Sequence, residues 1–395
     1  MKHNELSDRW LLDPGVIFLN HGSFGATPRF VLEEQAKIRE RIEIEPLLFF
    51  NYHYLDELDH ARSELARFLG SRTDDLAFVV NATMGVNTVL RSLRLREGDE
   101  LLVTDHEYNA CRNAIDAVAT ATGSSVVVAP IPFPLQEEEE VIEAVLERVT
   151  PRCRLLLIDH VTSQTGLVLP IEKLVGEVQA RGVDVLVDGA HAAGMVPLDL
   201  DSLGAAYYTG NCHKWLCAPK GAAFLHVRED RRDSVRPLVI SHGANTTCVN
   251  RSRFHLEHDW TGTRDPSAWL AVPAALRHMA SMVEGGWAEI RRRNRELALE
   301  SRRVLCKALE IGPPCPESMI GSLASLPLPD GDSGAVNALF PFDRLQERLF
   351  QEHRIEVPVI TWPEPPRRLL RISAQLYNSA PQYIALSEAL RRILS

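Results

Sequence analysis

The 395-residue chain is 45% hydrophobic and 24% charged, the balance of an ordinary globular enzyme, and it is too long for a single hydrophobic core. Its formal net charge of −10 argues against nucleic acid or an anionic membrane as the main partner, since both reward basic patches. The N-terminal stretch Met1–Trp10 has no apolar signal core and no run approaches the ~18 apolar residues of a membrane span, so a cytoplasmic location is expected.

Val16–Asn20 reads as a short strand running into the glycine-rich loop His21–Pro28. From Phe30 to about Leu69 the periodicity is helical, broken near Pro46, and Phe49, Phe50, Tyr52 and Tyr54 are expected in the core or in a subunit contact. Leu76–Val80 is a strand, followed by the turn Asn81–Asn87 and the helical pattern Val86, Val89, Leu90, Leu93. Strand, small polar turn and helix start is the arrangement in which free backbone N–H groups and the helix dipole hold a phosphate, with Thr83 adding a hydroxyl. A plain Asn81 N-cap is the structural alternative. The turn lacks the GxGxxG and GKS/T patterns, which disfavours dinucleotide and P-loop readings.

Leu101–Thr104 is the next strand, then a loop at Asp105–Asn109, a helix to about Ala121 and a strand at Val126–Ile131. The acids Glu137–Glu140 open a helix at the positive end of its dipole, a solvated feature. Arg154–Asp159 is a buried strand leading into His160–Gly166. The apolar run Val183–Val187 delivers Asp188 to the point where Gly189 stops the strand, the pattern of a parallel strand buried on both faces. Another β-rich run, from Tyr208, ends in Gly210-Asn211-Cys212-His213-Lys214-Trp215 and places Lys214 at a neighbouring strand end. Alternating strands and helices predict a mostly parallel sheet with helices on both faces and ligands at the strand C-termini. The turn after Val80, the Tyr108 loop, the Ser163 loop, Asp188 and Lys214 all fall at such ends. An acid and a lysine there meet the needs of pyridoxal 5′-phosphate (PLP), whose ring nitrogen wants an acid and whose aldehyde wants a lysine. A helix-capping acid and a surface lysine are the plainer alternative; the convergence of strand ends favours the cofactor.

Ala222–Val227 is one more strand, and the loop-rich region from Arg228 to Trp260 resists assignment. Asp259–Asp265 leads into a helix with Trp269 and Leu270. A long charged helix from Trp287 to about Leu309, with Arg291, Arg292, Arg293 and Arg295 expected on a solvated face, bridges to a second domain. After a turn at Pro313–Pro316, strands at Met319–Leu326, Ile355–Ile360 and Leu369–Ser373 alternate with helices at Asp343–His353 and Pro381–Leu394, a small α+β domain. The expected division is a large PLP-binding domain over 15–275 and a small domain made of 1–14 and 276–395.

Asn20-His21-Gly22-Ser23-Phe24-Gly25, Asp188-Gly189-Ala190-His191, His213-Lys214-Trp215, Gly262-Thr263-Arg264-Asp265 and Arg371-Ile372-Ser373 together resemble the fold-type I PLP enzymes of the class V aminotransferase group. Within it the chain is most similar to the isopenicillin N epimerase-like branch, over nearly its whole length. The resemblance implies the aspartate aminotransferase-like α/β fold: a large, mostly parallel seven-stranded sheet with helices on both faces, plus the small α+β domain. It implies that Lys214 binds the cofactor aldehyde and is the catalytic group, and that Asp188 pairs with the ring nitrogen. His191 and Ser163 would lie near the ring hydroxyl, and Ala82, Thr83, Asn211 and His213 on the phosphate side. Tyr108, in preference to His106, would stack on the ring. Arg371 would take the substrate α-carboxylate through its planar fork, with His21 as a second substrate contact. Thr263 would reach the phosphate from the other subunit, so a homodimer with shared sites is expected.

The implied chemistry is carbanion formation at Cα of an amino acid or amino-acid-derived substrate, with Lys214 as acid and base. Epimerisation, as in the branch resembled, is the first reading; a C–S or C–N lyase is the alternative, ahead of an aminotransferase or a persulfide-forming desulfurase. The seven cysteines show no CxxC or Cys/His metal spacing and fit buried thiols with no metal site. Arg354–Arg371 holds no cysteine, and Cys306 and Cys315 lie too early to serve as a mobile sulfur acceptor. A non-catalytic ligand-binding regulator is disfavoured by the retained Lys214, Asp188 and Arg371 and by the lack of an added DNA-binding domain.

Overall fold

A computed structural model describes residues 4–247, 250–331 and 343–394. Its strands are β1 (Ile17–Phe18), β2 (Leu76–Val79), β3 (Glu100–Thr104), β4 (Ser125–Ala129), β5 (Cys153–Asp159), β6 (Asp184–Asp188), β7 (Tyr207–Asn211), β8 (Ala223–Val227), β9 (Leu323–Leu328), β10 (Ile355–Glu356), β11 (Val359–Thr361) and β12 (Arg368–Ser373). The large sheet has seven strands in the order β2-β8-β7-β6-β5-β3-β4. β4, β3, β5, β6 and β7 run parallel, and β8 is antiparallel to both β7 and β2. This is the α/β, mostly parallel architecture that the alternating pattern and the resemblance predict.

Burial explains the strand choice. β3, β7 and β8 are buried at every position, and β5 and β6 nearly so, which is what a strand covered by helices on both faces requires. Each fully buried Val or Leu contributes about 1.5–3 kcal/mol of transfer free energy. The strand order reverses between β3 and β5, because β4 lies outside β3 while β6 and β7 lie outside β5. A crevice opens at such a switch point beyond the strand C-termini.

The C-terminal part adds an antiparallel sheet of order β11-β12-β9, and β1 pairs in parallel with β10. Through that pairing, and through Ser373 N–H donating to the Leu19 carbonyl at 3.0 Å, the segment ahead of the glycine-rich loop is tied to the C-terminal strands. The helix Gly286–Leu309 departs from the solvated-face expectation on one edge. Arg292 and Arg293 pair with Glu289, but the Arg291 guanidinium lies 5.5 Å from the Phe68 ring centroid, its stem covering apolar surface. The unassigned region after Arg228 contains a 3-10 turn at Glu229–Ser234 and a helix at Arg253–Asp259, whose start is capped by the Ser252 hydroxyl accepting from His255 N–H. Among the described residues, no helix is long and apolar enough to cross a membrane.

Candidate active site

The C-terminal ends of β2, β5, β6 and β7 bring the predicted residues to one edge of the sheet. Asp188 closes β6 and pairs in register with Asp159 on β5 and Thr209 on β7. It is buried, with the Ala190 backbone N–H donating to Oδ1 at 2.9 Å and the Cys111 thiol donating to Oδ2 at 3.2 Å. Burial raises its pKa, opposed by these two donors and by the Lys214 charge. Two further carboxyls, Asp159 and Glu107, are buried beside it, and both Glu107 oxygens and Asp159 Oδ2 lack hydrogen-bond partners. Burial first, then mutual repulsion, drives the pKa of each well upward. The Tyr108 backbone opposes burial at Glu107 and Asp159, but Asp188, with a thiol and a backbone N–H on its oxygens, is the best supplied of the three to hold an anion.

Lys214 lies just past β7, and its Nζ is 2.9 Å from His191 Nε2. The other nitrogen of His191, Nδ1, accepts from the Trp215 indole N–H at 3.3 Å. An indole only donates. Nδ1 therefore carries the lone pair, and in the neutral ring the proton sits on Nε2 and points at Lys214, which must receive it as a free amine. Burial, then the charge of Arg371, lowers Lys214 to about 8, which brings its free amine within reach near neutral pH, and burial with the Lys214 charge puts His191 well below its ordinary value.

On the β2 side, the helix Ala82–Ser92 points its N-terminus at the same edge. Asn81 caps it by accepting from Met84 N–H at 2.8 Å, and Asn211 Oδ1 accepts from Ala82 N–H at 2.9 Å. The N-cap and the phosphate readings of this turn are therefore compatible: the N–H donors of Ala82 and Met84 are taken, while the Thr83 N–H and hydroxyl remain available for an anion. His213 Nδ1 donates to the Ala222 carbonyl at 3.0 Å.

Arg371, on β12, is buried with Nη1 donating to the Ser163 carbonyl at 2.5 Å and Nη2 to Ser23 Oγ at 2.8 Å. Its Nε has no partner. Among the described residues no carboxylate forms an ion pair with it, and burial lowers its pKa to about 10. Tyr108 is 39% exposed and close enough to Asp188 and Arg371 to sense both charges. His106 is turned away into the protein, bonded to Thr165 Oγ1 at 2.8 Å and to the Ile131 carbonyl at 3.1 Å, with the Trp362 ring edge-on. His21, expected as a substrate contact, has partners within the chain on both ring nitrogens. Nδ1 meets the Tyr377 hydroxyl at 2.8 Å and Nε2 the Lys214 carbonyl at 3.0 Å, so both nitrogens are engaged and the ring braces the lysine's backbone. Thr263 is exposed and makes no hydrogen bond to the Lys214 cluster within the chain. Its loop is anchored by Arg264, 3.7 Å from the Trp269 ring centroid.

The aminotransferase class-V family model matches residues 50–317. The chain belongs to this family. Relatives include the isopenicillin N epimerase of Amycolatopsis lactamdurans, 38% identical across 97% of this chain and 96% of that protein. A probable chloroplastic L-cysteine desulfhydrase of Arabidopsis thaliana is 32% identical across 97% of this chain and 84% of that protein. Among solved structures, a C-DES mutant with glycine covalently linked to its PLP cofactor superposes with a TM-score of 0.76, at 21% identity, covering 96% of this chain and 97% of that one. That likeness is one of fold.

The site of this class-V chain fits PLP on its own geometry. A buried carboxyl, a buried lysine and a helix N-terminus stand at the C-terminal ends of β6, β7 and β2, and a buried guanidinium offers an unpaired N–H beside them. Several members were missed in the sequence: Cys111 against Asp188, Trp215 as the donor to His191, and the buried carboxyls Glu107 and Asp159. Asp159 carried a usable signal, as it ends a buried strand just as Asp188 does. Cys111 carried none, because only the docking of the helix Asn109–Thr122 brings it to β6.

Proposed function

We propose that this class-V chain is a PLP-dependent enzyme that moves a proton at Cα of an amino acid or amino-acid-derived substrate, in the manner of an epimerase. The observation that carries the reading is Arg371, a buried guanidinium with an unpaired Nε and no carboxylate partner among the described residues. A buried cation is costly without an anion, and a substrate α-carboxylate supplies one in fork geometry. When bound, PLP supplies an electron sink that stabilises negative charge at Cα.

The remaining tasks fall to the chain. Asp188 holds a proton at the ring nitrogen, and the helix N-terminus at Ala82 with Thr83, Asn211 and His213 orients the phosphate. Tyr108 covers the ring, while His191 and Ser163 lie toward its hydroxyl. Lys214 would hold the aldehyde and, as the free amine, would take the Cα proton from its own face, a role suited to an amine whose pKa is about 8; inversion requires a proton delivered from the opposite face. The exposed Thr263 serves the partner's site in a homodimer.

A second reading, β-elimination from a sulfur-containing amino acid, is supported by the desulfhydrase relative. Persulfide-forming desulfuration is not, because every described cysteine is buried and Cys217, near His21, has its thiol pushed up to about 12 by burial. The test is incubation of the PLP-loaded protein with a panel of L-amino acids and their peptide derivatives in deuterated water. Deuterium at Cα with inverted configuration is the expected result. Keto acid with ammonia or sulfide would establish the lyase instead, and no exchange on any substrate would overturn both.

A further inference from the structure

At the opposite edge of the large sheet, three segments distant in sequence bring together Asp75, Asp201 and His226, each offering a ligand atom within 4.8 Å of the others. Asp75 precedes β2, His226 lies on β8 opposite Leu76, and Asp201 sits on the short helix Leu200–Leu203. His226 also pairs with Tyr208, near the start of β7, whereas Lys214 follows the end of that strand. The rest of β7, from Tyr208 to Asn211, about 10 Å at the usual strand rise, separates the cluster from the catalytic edge.

The imidazole shows what the cluster is for. His226 is 2% exposed, and neither ring nitrogen has a hydrogen-bond partner. Its Nε2 faces Asp201 Oδ1 at 4.0 Å, too far for a hydrogen bond. A buried imidazole normally finds two partners; here the ring shares a small space with two carboxylates, the three ligand atoms lying within 4.8 Å of one another. Asp75 is nearly as buried as His226, and its Oδ1 is met only by Arg232 Nε at 3.2 Å, without hydrogen-bond geometry. Arg232 has a second anchor on Glu229, also at 3.2 Å, so it can yield that side of Asp75. Asp201 accepts the Arg72 backbone N–H at 3.3 Å and leaves its remaining lone pairs free.

We propose that Asp75, Asp201 and His226 form a binding site for a divalent transition-metal ion of the zinc class. One imidazole and two carboxylates are a borderline-soft donor set of the kind such ions take. Ligand atoms ~2.0–2.2 Å from the ion must close in from their present spacing. Asp201, its side chain 46% exposed on a four-residue helix, is the ligand free to move. The ion ties the turn before β2, the Leu200–Leu203 helix and β8 into one corner, and so stabilises the fold without touching the cofactor. Cys/His spacing in the sequence could not reveal it, because each ligand comes from a separate segment.

The test uses the PLP-loaded full chain, stripped with a chelator and titrated with zinc chloride by calorimetry, with thermal melting in parallel. The expected result is one zinc per chain and a raised Tm. Asp201→Asn, at an exposed position that leaves folding intact, should weaken binding by at least the about 10–100-fold that loss of even an outer partner costs and should abolish the Tm rise. His226→Gln should do the same, and cofactor absorbance should be unchanged throughout. Absence of zinc binding, or binding by Asp201→Asn as tight as the parent's, would overturn the site and leave His226 a water-bridged core residue.

Discussion

Lys214 is poised as a nucleophile by two neighbours that act differently. His191 presents an N–H to it, and Arg371 lowers its pKa through space to about 8, after burial. Only the free amine attacks an aldehyde, so cofactor uptake by the apo protein should rise with pH, fall about tenfold per unit below about 8 and level off above it. The measurement is the rate of growth of the protein-bound PLP absorbance across pH 6–10. Arg371→Gln removes a like charge and should shift the midpoint upward; an unchanged midpoint would show that burial alone sets the lysine. At this scale the sequence was legible where chemistry sits in short contiguous stretches, as at Asp188-Gly189-Ala190-His191 and His213-Lys214-Trp215. It was opaque where a role depends on what docks alongside. His21 lies in a motif, yet its ring nitrogens go to Tyr377 and the Lys214 carbonyl, a pairing that needs the C-terminal segment in place.

Between elements, the glycine-rich loop is a spacer set against the lysine turn. Gly25 has φ +70°, and a Cβ there would stand 2.1 Å from the His213 carbonyl oxygen and 3.0 Å from Lys214 Cα. Both obstacles are backbone, so neither can move as a side-chain tip would. Gly25→Ala therefore adds left-handed strain of about 1–3 kcal/mol to a steric push on the segment that carries Lys214. The expected outcome is a Tm lower by several degrees together with slower PLP uptake, read by thermal melting and absorbance; a variant normal in both would mean the loop is free to shift away. The sheet itself was readable because its strands are buried on both faces and so appear as apolar runs. The helix Arg253–Asp259 was not, because it buries His255, Glu257, His258 and Asp259, which a polarity pattern assigns to solvent. Asp259 is held there by an ion pair with the buried Arg62, a partner nearly two hundred positions away in the chain.

For the whole molecule, the surface around residues 44–55 is the face on which the proposed homodimer would close. The aromatic cluster expected in the core or in a subunit contact divides: Phe49 and Tyr54 are buried, whereas Ile44 is 82% exposed and Leu47 and Tyr52 are each 71% exposed. Contiguous apolar exposure of this kind marks an interaction surface. Phe50 and Tyr54 pack against Trp260 with ring centroids 5.7 and 6.0 Å away, which joins the patch to the loop that carries the exposed Thr263. A second copy seated on this face would thus cover the apolar residues and receive Thr263 in one docking event, closing a symmetric pair. The double substitution Leu47→Asp with Tyr52→Asp tests this, because exposed sites change the chain's own stability by no more than about 0.5 kcal/mol while two desolvated charges oppose association. Light scattering should show a dimer for the parent and a monomer for the variant. The monomer should hold PLP about tenfold or more weakly, the loss expected from one hydrogen bond to a charged phosphate. A variant that stays dimeric would move the interface elsewhere, and a monomer that binds PLP as tightly as the parent would show that each chain completes its own site.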